Sequence, residues 1–325
     1  MGQSLRQITS LSVSIQTIHS LEELKSIEQS LHIALGVFDG VHIGHQEVIR
    51  SVVDAAQAHG GIPAVLTFEP HPIRVLAPHV APSRILAHIH HKEELLVALG
   101  IEILLVISFT EEFSQLEAEV FLGQLAGACQ NLETLAMGED WKFGKQRGGN
   151  VDVLRRFGLQ NHIEIKAIEA VMLDGERVSS TRIRQAIRDG NMDSAAKMLG
   201  RDYSVLGTVI EGKKVGRTIG FPTANLRDYN EQLPLDGAWA VDVTLGDGSI
   251  YRGAGNLGVR PTVEGEVGKK MLEIYLLDFQ GDLYGRDVVV HFLKHVRHER
   301  VFDSLEELKK QILEDVKICR AVGAV

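Results

Sequence analysis

The stretch HIALGVFDGVHIGHQEVIRSVVDAAQAHGGIPAVLTF, residues 32–68, determines how the first half of the chain folds. It begins with HIALGVF (32–38) and ends with IPAVLTF (62–68), two short apolar runs that are typical of buried strands. Between these runs, apolar residues recur at helical spacing at Val48, Val52, Val53 and Ala56. A strand, a helix and a second strand in succession predict a right-handed crossover that joins two parallel strands.

The same alternation of apolar runs and amphipathic stretches continues to about residue 200. Further strand-like runs are IEILLVISF (101–109), LETLAMG (132–138) and IEIKAIEAV (163–171), with helical stretches between them, including one at 111–127. This pattern predicts an α/β domain with a parallel, Rossmann-like sheet that helices cover on both faces. In such sheets a ligand binds beyond the carboxyl ends of the strands, and the turn at residues 36–45 follows one of those ends.

The pattern changes near residue 200, where glycines become more frequent. Seventeen occur in the first 200 residues and 15 in the last 125, so turns are denser in the second half. Runs rich in Val, Ile and Tyr indicate antiparallel strands of a small barrel or sandwich: YSVLGTVI, AWAVDVTL, LEIYLLDF and DVVVHFL. We expect a β-barrel, and two domains that comprise residues 1–200 and residues 201–325.

The end of the chain, residues 303–320, predicts a helix that closes the barrel. Either Asp303 or Ser304 is placed to cap its first turn. One face of this helix is apolar and is expected to pack on the barrel: Leu305, Leu308, Ile312 and Val316.

The composition of the chain limits which kinds of molecule it is expected to bind. A net charge of −9 at pH 7 argues against broad binding to nucleic acid or to an anionic membrane. The two cysteines, Cys129 and Cys319, are far apart and fit neither a disulfide framework nor a zinc motif. No window approaches 18 apolar residues, and the first residues lack the apolar core of a signal peptide. We expect a cytoplasmic protein with no nucleic-acid or membrane partner, whose oligomeric state the sequence leaves open.

The turn GVFDGVHIGH, residues 36–45, has the features of a phosphate site. A helix that begins near Gly44 directs free N–H groups and its positive dipole end at the turn. His42 and His45 can donate hydrogen bonds to phosphoryl oxygens and stabilise a pentacoordinate transition state. A single histidine here would more often be a helix cap or a core residue, and a metal pair would lack a third ligand.

The string as a whole resembles the H-x-G-H signature of nucleotidyltransferases, which attack the α-phosphate of a nucleoside triphosphate and release pyrophosphate. By this resemblance, four further residues of the turn contact ATP: Gly36, Phe38, Asp39 and Gly44. No Walker-type phosphate loop is present in the sequence.

A second phosphate clamp is predicted at VSSTRIR, residues 178–184. Ser180 and Thr181 place hydroxyl groups at the start of a helix, and Arg184 follows one turn later. Taken alone, the hydroxyl residues would be a helix cap, and the arginine would lie on a solvent-exposed face of the helix. Beside the histidine turn, they are expected to grip the β- and γ-phosphates of the same triphosphate.

The glycine-rich stretch GTVIEGKKVGRTIGFPTANL, residues 207–226, predicts a third phosphate-binding element. Gly212 and Arg217 lie in a loop whose amides and cations could wrap phosphates. Thr223 and Asn225 are two residues apart, so in an extended chain both side chains point to one side. Their neutral oxygens, together with phosphate oxygens, suit Mg²⁺. The alternative is a structural hairpin followed by a proline turn.

Glu273 is a lone acid in the apolar run LEIYLLDF. It is predicted to be either a buried, ion-paired strand residue or a general base with a raised pKa. The pattern by itself does not separate these two alternatives.

From about residue 14 to 320, the chain resembles the bacterial bifunctional riboflavin kinase/FMN adenylyltransferases, also called FAD synthetases. The resemblance rests on these motifs: GVFDGVHIGH, TFEPHP (67–72), GEDWKFG (138–144), VSSTRIR, GRTIGFPTANL, GNLGVRPT (255–262), LEIYLLDF and RHERVFDSLEEL. It implies that the first domain transfers AMP from ATP to FMN, giving FAD and pyrophosphate. It also implies that the second domain phosphorylates riboflavin with ATP and Mg²⁺, with Glu273 as the base.

The resemblance also implies flavin contacts. Phe68 and Asp140 would lie near FMN in the first domain, and Arg297 and Phe302 beside the flavin in the second. Some positions depart from the family pattern, so the details of these contacts stay open: Trp141 and Lys142 replace the usual Phe-Arg, Trp239 stands where Tyr is expected, and Glu211 precedes the glycine loop.

Two other hypotheses fit parts of the sequence. In the first, a nucleotidyltransferase of another specificity is fused to a barrel that binds flavin without catalysis. In the second, the chain is a flavin-binding regulator with no activity. The histidines of AHIHHKEE, residues 87–94, suggest a metal site, but this stretch is predicted to be a solvated helix face.

Overall fold

The computed structural model describes residues 15–212, 216, 219–259 and 270–323. The chain divides into two compact units. The first comprises Met1–Ile85 and Ile89–Ser180, and the second comprises Leu86–His88 and Thr181–Val325.

The first unit contains the predicted parallel sheet. Its six strands are β1 (Gln16–Ile18), β2 (Leu31–Leu35), β3 (Ile62–Glu69), β4 (Ile103–Ser108), β5 (Leu132–Gly138) and β6 (Glu164–Ile168). They lie in the order β1-β4-β3-β2-β5-β6, and every neighbouring pair is parallel. The chain moves from β2 to β3 and β4 on one side and returns to β5 on the other. The loop after β2 therefore lies at the switch point of the sheet, where ligands bind in this architecture.

Helices supply the layers on the two faces of this sheet. They are α1 (Leu21–Leu24), α2 (Ile43–His59), α3 (Pro72–Leu76), α4 (Ile89–Val97), α5 (Glu111–Ser114), α6 (Ala118–Ala128) and α7 (Val151–Asn161). Alternate residues of β2 enter different cores: Leu31 and Ile33 pack in one, and Ala34 packs in the other with α2. The helix predicted at 111–127 is in fact two, because α5 ends at its C-cap, Gln115, and the backbone is extended at Glu117, just before α6.

Two short strands, β7 (Met172–Leu173) and β8 (Glu176–Arg177), form a hairpin after the sheet. Helix α8 (Ser180–Arg188) follows, and the second unit continues with α9 (Met192–Leu199). No helix in the part of the chain that the structure describes has both the length and the apolar character to cross a membrane.

The second unit contains a closed antiparallel barrel, as predicted. Its strands are β9 (Ser204–Ile210), β10 (Ala224–Asp228), β11 (Gly237–Leu245), β12 (Ile250–Val259), β13 (Lys270–Leu276) and β14 (Asp287–Arg297), in the order β10-β13-β12-β11-β14-β9. The sequence patterns did not predict β12, because three glycines interrupt its apolar character. Gly253 is needed where β12 approaches β13, since a Cβ there would lie 2.8 Å from the Ile274 side chain.

The closing helix, α10, spans Leu305–Ala321 and is capped by Ser304, whose side chain accepts a hydrogen bond from the Glu307 amide. The predicted apolar face is wrong at one end, because Leu305 is 56% exposed. Asp315 and Cys319 are the buried residues of this helix. The face that packs on the barrel is therefore shifted along the helix and includes an acid.

Candidate active sites

The loop after β2 has an unusual backbone. Phe38 and Val41 have φ angles of 50° and 43°, in the left-handed region that side chains other than glycine rarely adopt. Gly36 is required beside them, because a Cβ at this position would lie 2.9 Å from the Phe38 ring. Strain of this kind persists where surrounding contacts hold it, and it is common at functional sites.

His42 is the N-cap of α2, which begins at Ile43, one residue before the predicted start. Its Nδ1 accepts a hydrogen bond from the His45 amide at 3.3 Å. Because Nδ1 serves as an acceptor, the ring N–H of His42 is at Nε2. The two imidazole rings are stacked, with centroids 3.5 Å apart and an interplanar angle of 17°. Gly44 makes room for this arrangement, since a Cβ there would lie 3.3 Å from the His42 ring.

His45 is held in its neutral form. His45 as a whole is partly accessible to solvent, but its Nδ1 is buried and has no hydrogen-bond partner. Burial is the main cause that holds the pKa of His45 well below 6.5, and the nearby cations Lys92 and Arg177 lower it further. A neutral imidazole at the first turn of a helix can donate one N–H to an anion.

The lowered pKa of His45 predicts acid sensitivity. Below pH 6.5 the unfolded chain binds a proton at this residue while the folded chain does not, so stability falls as the pH drops from about 6.5 toward the folded pKa. Urea unfolding at pH 7.5 and at pH 5.5 should show this loss. In His45→Gln the difference in unfolding free energy between the two pH values should be smaller. An unchanged difference would contradict a buried, neutral His45.

Lys92 is a site residue that the sequence patterns missed. The stretch 87–94 was predicted to be solvated, but His91 and Lys92 are only 2% and 4% exposed. The Lys92 ammonium donates to the Val37 carbonyl at 2.9 Å and to Thr67 Oγ1 at 3.3 Å. Burial lowers the pKa of Lys92, while Asp39 and Glu69 raise it. A buried cation therefore holds the carbonyl that precedes the strained loop.

Ser180 is brought to the loop, and its hydroxyl donates to the Asp39 carbonyl at 3.0 Å. Asp39 itself is 3% exposed. Thr181 and Arg184 follow Ser180 on α8 and belong to the second compact unit, in which Arg184 is 7% exposed. The structure thus has a buried guanidinium one turn after the hydroxyls at the start of a helix, and phosphate binding by these groups stays a prediction.

The two residues predicted to lie near FMN have partners in the first unit. Phe68 is 5% exposed, and its ring packs against Phe109 at 5.7 Å and Trp141 at 6.4 Å between centroids. Asp140 accepts a hydrogen bond from Arg177 at 2.9 Å. Phe68 thus belongs to an aromatic cluster in which Phe109 and Trp141 are partly accessible.

In the second unit, the predicted kinase residues lie together on the barrel. Asn225 of β10 is directly opposite Glu273 of β13, and Thr223 Oγ1 is 3.5 Å from Glu273 Oε2. Asn225 is 3% exposed, whereas Glu273 is half-buried. The adjacent residues of β13, Leu272 and Ile274, are buried in the barrel, so Glu273 projects from the other face.

The backbone at Gly212 lies against Asn225, because a Cβ at Gly212 would be 2.2 Å from Asn225 Nδ2. A larger residue at this position would therefore require the loop or the Asn225 side chain to move. Arg217, which was predicted to contact ATP, lies outside the described residues. No group of three or more His, Cys, Asp or Glu side chains within the described parts of the chain could hold a metal ion. Thr223 and Asn225, with the Glu273 carboxylate nearby, are instead a neutral oxygen set that suits Mg²⁺.

Arg297 and Phe302 form a cationic and aromatic group beside α10. The Arg297 guanidinium binds Asp315 through Nε at 3.0 Å and Nη2 at 2.8 Å. The same guanidinium lies 5.6 Å from the centre of the Phe302 ring, and that of Arg300 lies 4.7 Å from it. The buried acid of α10 therefore orients Arg297, a role that helical periodicity did not predict.

Two family models match this chain. The model for FAD synthetase matches residues 24–182, and the model for riboflavin kinase matches residues 199–322. The range matched by the first model includes the histidine turn, and the range matched by the second includes the opposed residues Asn225 and Glu273.

Known proteins resemble the chain over nearly its whole length. A bifunctional riboflavin kinase/FMN adenylyltransferase of Haemophilus influenzae is 36% identical, with 94% of this chain and 99% of the relative covered. The protein of the same description from Escherichia coli K12 is 35% identical, with 93% and 95% covered. A crystal structure described as a macrolide-efflux protein from Streptococcus pneumoniae has a TM-score of 0.82 at 31% identity, with 95% and 99% covered.

Proposed function

Because this chain belongs to the family of bifunctional riboflavin kinase/FMN adenylyltransferases, we propose that its two activities are divided between residues 1–200 and residues 201–325. The chain phosphorylates riboflavin with ATP to give FMN, and then transfers AMP from ATP to FMN to give FAD and pyrophosphate. The match of a riboflavin kinase model to the barrel favours this function over a barrel that binds flavin without catalysis.

The adenylyl transfer is assigned to the loop after β2. An oxygen of the FMN phosphate attacks the α-phosphorus of ATP, the bond from that phosphorus to the bridging oxygen breaks, and pyrophosphate leaves with the electron pair. The attacking phosphate is already ionised, so no base is needed. The stacked pair of His42 and His45 supports this assignment, because neutral imidazoles at a helix N-terminus donate hydrogen bonds to phosphoryl oxygens as charge develops.

Further residues of the first activity position the triphosphate. Gly36, Phe38, Asp39 and Gly44 shape the loop, and Ser180 and Thr181 with Arg184 hold the phosphates at the start of α8. The hydrogen bond from Ser180 to the Asp39 carbonyl supports this grouping. Phe68 and Asp140 are proposed to lie at the FMN end of the site, where the aromatic cluster and the Arg177 ion pair support binding of a ring and a phosphate.

We predict that Lys92→Met lowers adenylyl transfer. Methionine keeps the volume but cannot donate to the Val37 carbonyl, which Thr67 Oγ1 alone then holds, so the loop is expected to shift; such misplacement costs up to about 100-fold in rate. Stability should also fall, because methionine leaves the buried Asp39 carboxylate without its neighbouring cation, so unfolding of the variant is measured alongside its activity. Steady-state assays of FMN adenylylation would test this, with Lys25→Met, an exposed lysine of the same unit, as control. Equal rates for both variants would exclude the role of Lys92.

The kinase reaction is assigned to the barrel. Glu273 accepts the proton of the terminal ribityl hydroxyl while that oxygen attacks the γ-phosphorus of ATP, and the bond to the leaving ADP breaks. Thr223 and Asn225 would hold Mg²⁺, which neutralises phosphate charge when it is bound. Gly212 and Arg217 would contact ATP beside them. The 3.5 Å separation of Thr223 Oγ1 and Glu273 Oε2 supports this assignment, because it brings base and metal-binding oxygens to one place. Arg297 and Phe302 would contact the flavin.

Asn225→Ala should lower FMN formation by about 100-fold and increase the MgCl₂ concentration needed for half-maximal rate, because one metal-binding oxygen is lost. The measurement is a titration of kinase rate with MgCl₂ at saturating ATP and riboflavin. Adenylylation of added FMN in the same preparation controls for folding. Unchanged FMN formation would favour a barrel without catalysis.

We also propose that the protein works in the cytoplasm, without a nucleic-acid or membrane partner. The net charge of −9 supports this, as do the free thiols of Cys129 and Cys319. Burial raises the pKa of these thiols to about 12 and about 11, so they are unreactive near neutral pH.

A time course tests the proposed function as a whole. Purified protein is incubated with riboflavin, ATP and MgCl₂, and the flavins are separated by HPLC. FMN should appear first and FAD later, with release of pyrophosphate. A mixture with neither product would refute the assignment. FMN without FAD would refute the assignment of adenylyl transfer to the first unit.

A further inference from the structure

A row of side chains crosses four neighbouring strands of the barrel. In the ladders between β10, β13, β12 and β11, Asn225 is opposite Glu273, Glu273 is opposite Asn256, and Asn256 is opposite Ala238. On β14, Arg297 is opposite Ala238 and extends the row to a fifth strand. Directly opposed residues of antiparallel strands project to the same face, with Cβ atoms about 5 Å apart.

This row lies on the outer face of the barrel. The residues that alternate with it point inward and are buried: Leu226, Leu272 and Leu257 are each at most 2% exposed. Asn256, by contrast, is exposed. Its amide is therefore accessible on the same face as the Glu273 carboxylate and one strand away from it.

We propose that Asn256 is a substrate-binding residue of the kinase, which holds a ribityl hydroxyl next to the one that is phosphorylated. This inference rests on the proposed role of Glu273 as the base. Asn256 carries two N–H donors and a carbonyl acceptor, so it can both donate to and accept from a hydroxyl. It is also uncharged, so unlike an acid it does not oppose ionisation of Glu273 on the neighbouring strand.

The rest of the row fits the same substrate. Three strand spacings separate Glu273 from Arg297, about 14 Å along the sheet, which suits an extended hydroxylated chain followed by a flat ring. Ala238 lies between them on this face; it carries only a methyl group and is 5% exposed. Arg297 and Phe302 then provide a planar cation and an aromatic ring at the far end. In this arrangement polar side chains contact the ribityl chain, and planar side chains contact the flavin ring.

Asn256→Ala should increase the KM for riboflavin by about 3- to 10-fold, the effect of losing one hydrogen bond to a neutral group. The KM for ATP should stay within about 2-fold, since Asn256 is two strands away from Asn225. Kinase assays on the full chain measure both constants. Ile250→Thr, which changes an exposed residue at the other end of β12, is the matched control.

A second acceptor makes the test independent of small folding defects. A flavin with a 5-hydroxypentyl chain retains the terminal hydroxyl and lacks the others. The wild-type enzyme should prefer riboflavin to this analogue, and the preference in kcat/KM should be about 3- to 10-fold smaller in Asn256→Ala. Asn256→Ser should fall between the two.

The outcomes separate this inference from the function on which it depends. If wild type makes FMN but Asn256→Ala retains the full preference for riboflavin over the analogue, Asn256 does not bind the chain. An equal rise in the KM for ATP would also overturn the proposal. If wild type makes no FMN, the kinase assignment itself is refuted.

Discussion

Replacing His45 by alanine is expected to lower FMN adenylylation by about 100- to 1000-fold while riboflavin phosphorylation continues. The imidazole of His45 lies 3.5 Å from that of His42 at the N-terminus of α2, and burial keeps it neutral. Alanine removes a donor at the place where phosphate charge increases in the transition state. A flavin time course should therefore stop at FMN.

His59→Ala is the matched control, because His59 is an exposed histidine at the other end of α2. It should convert riboflavin to FAD as wild type does. If His45→Ala still makes FAD at the wild-type rate, the loop after β2 is not the adenylylation site. Equal loss of both activities would point to misfolding of His45→Ala. His45→Gln, which keeps a polar side chain of similar size, would then be assayed instead. Full adenylylation by His45→Gln would also refute the imidazole role.

The reciprocal result is expected for Glu273→Gln. FMN formation should fall by about 100- to 10,000-fold, the range of general-base catalysis, while adenylylation of supplied FMN is retained. Glutamine keeps the shape of the side chain and can remain near Thr223 Oγ1, so the change removes mainly the ability to accept a proton. The measurement is the single-turnover rate of FMN formation from riboflavin at saturating ATP.

Glu306→Gln, an exposed acid in the first turn of α10, is the control for loss of one negative charge in the same unit. It should retain both activities. A Glu273→Gln enzyme with wild-type kinase rate would leave Glu273 as a structural strand residue, the first of its two predicted roles. Together, the two variants should yield one enzyme that stops at FMN and one that requires FMN.

Much of the candidate chemistry was predictable because its signals are local. The start of α2 follows from glycines beside a helical pattern, and the structure places it at Ile43, one residue from the predicted position. Thr223 and Asn225 share one side because they are two apart on an extended chain. The helix at 111–127 was predicted as continuous, since periodicity alone does not indicate the break at residues 115–117.

Other features depend on residues that are far apart in the chain. Lys92 occupies a helix that looks solvated by composition, yet tertiary packing buries it against the Val37 carbonyl. Arg297 is oriented by Asp315, and no spacing rule pairs a strand residue with an acid on the following helix. β12 was missed because its glycines are favourable only where they allow β13 to approach closely.

The amino-acid sequence by itself determined the α/β and β-barrel fold classes, the family, and the position of the histidine turn at the start of α2. These depend on periodicity and on motifs within a few residues, which reflect the repeat of a helix or strand. Only the tertiary structure decided that Asn256 lies opposite Glu273, and that a buried lysine supports the loop after β2. Strand register and burial arise from packing between distant segments, so neighbouring residues do not specify them.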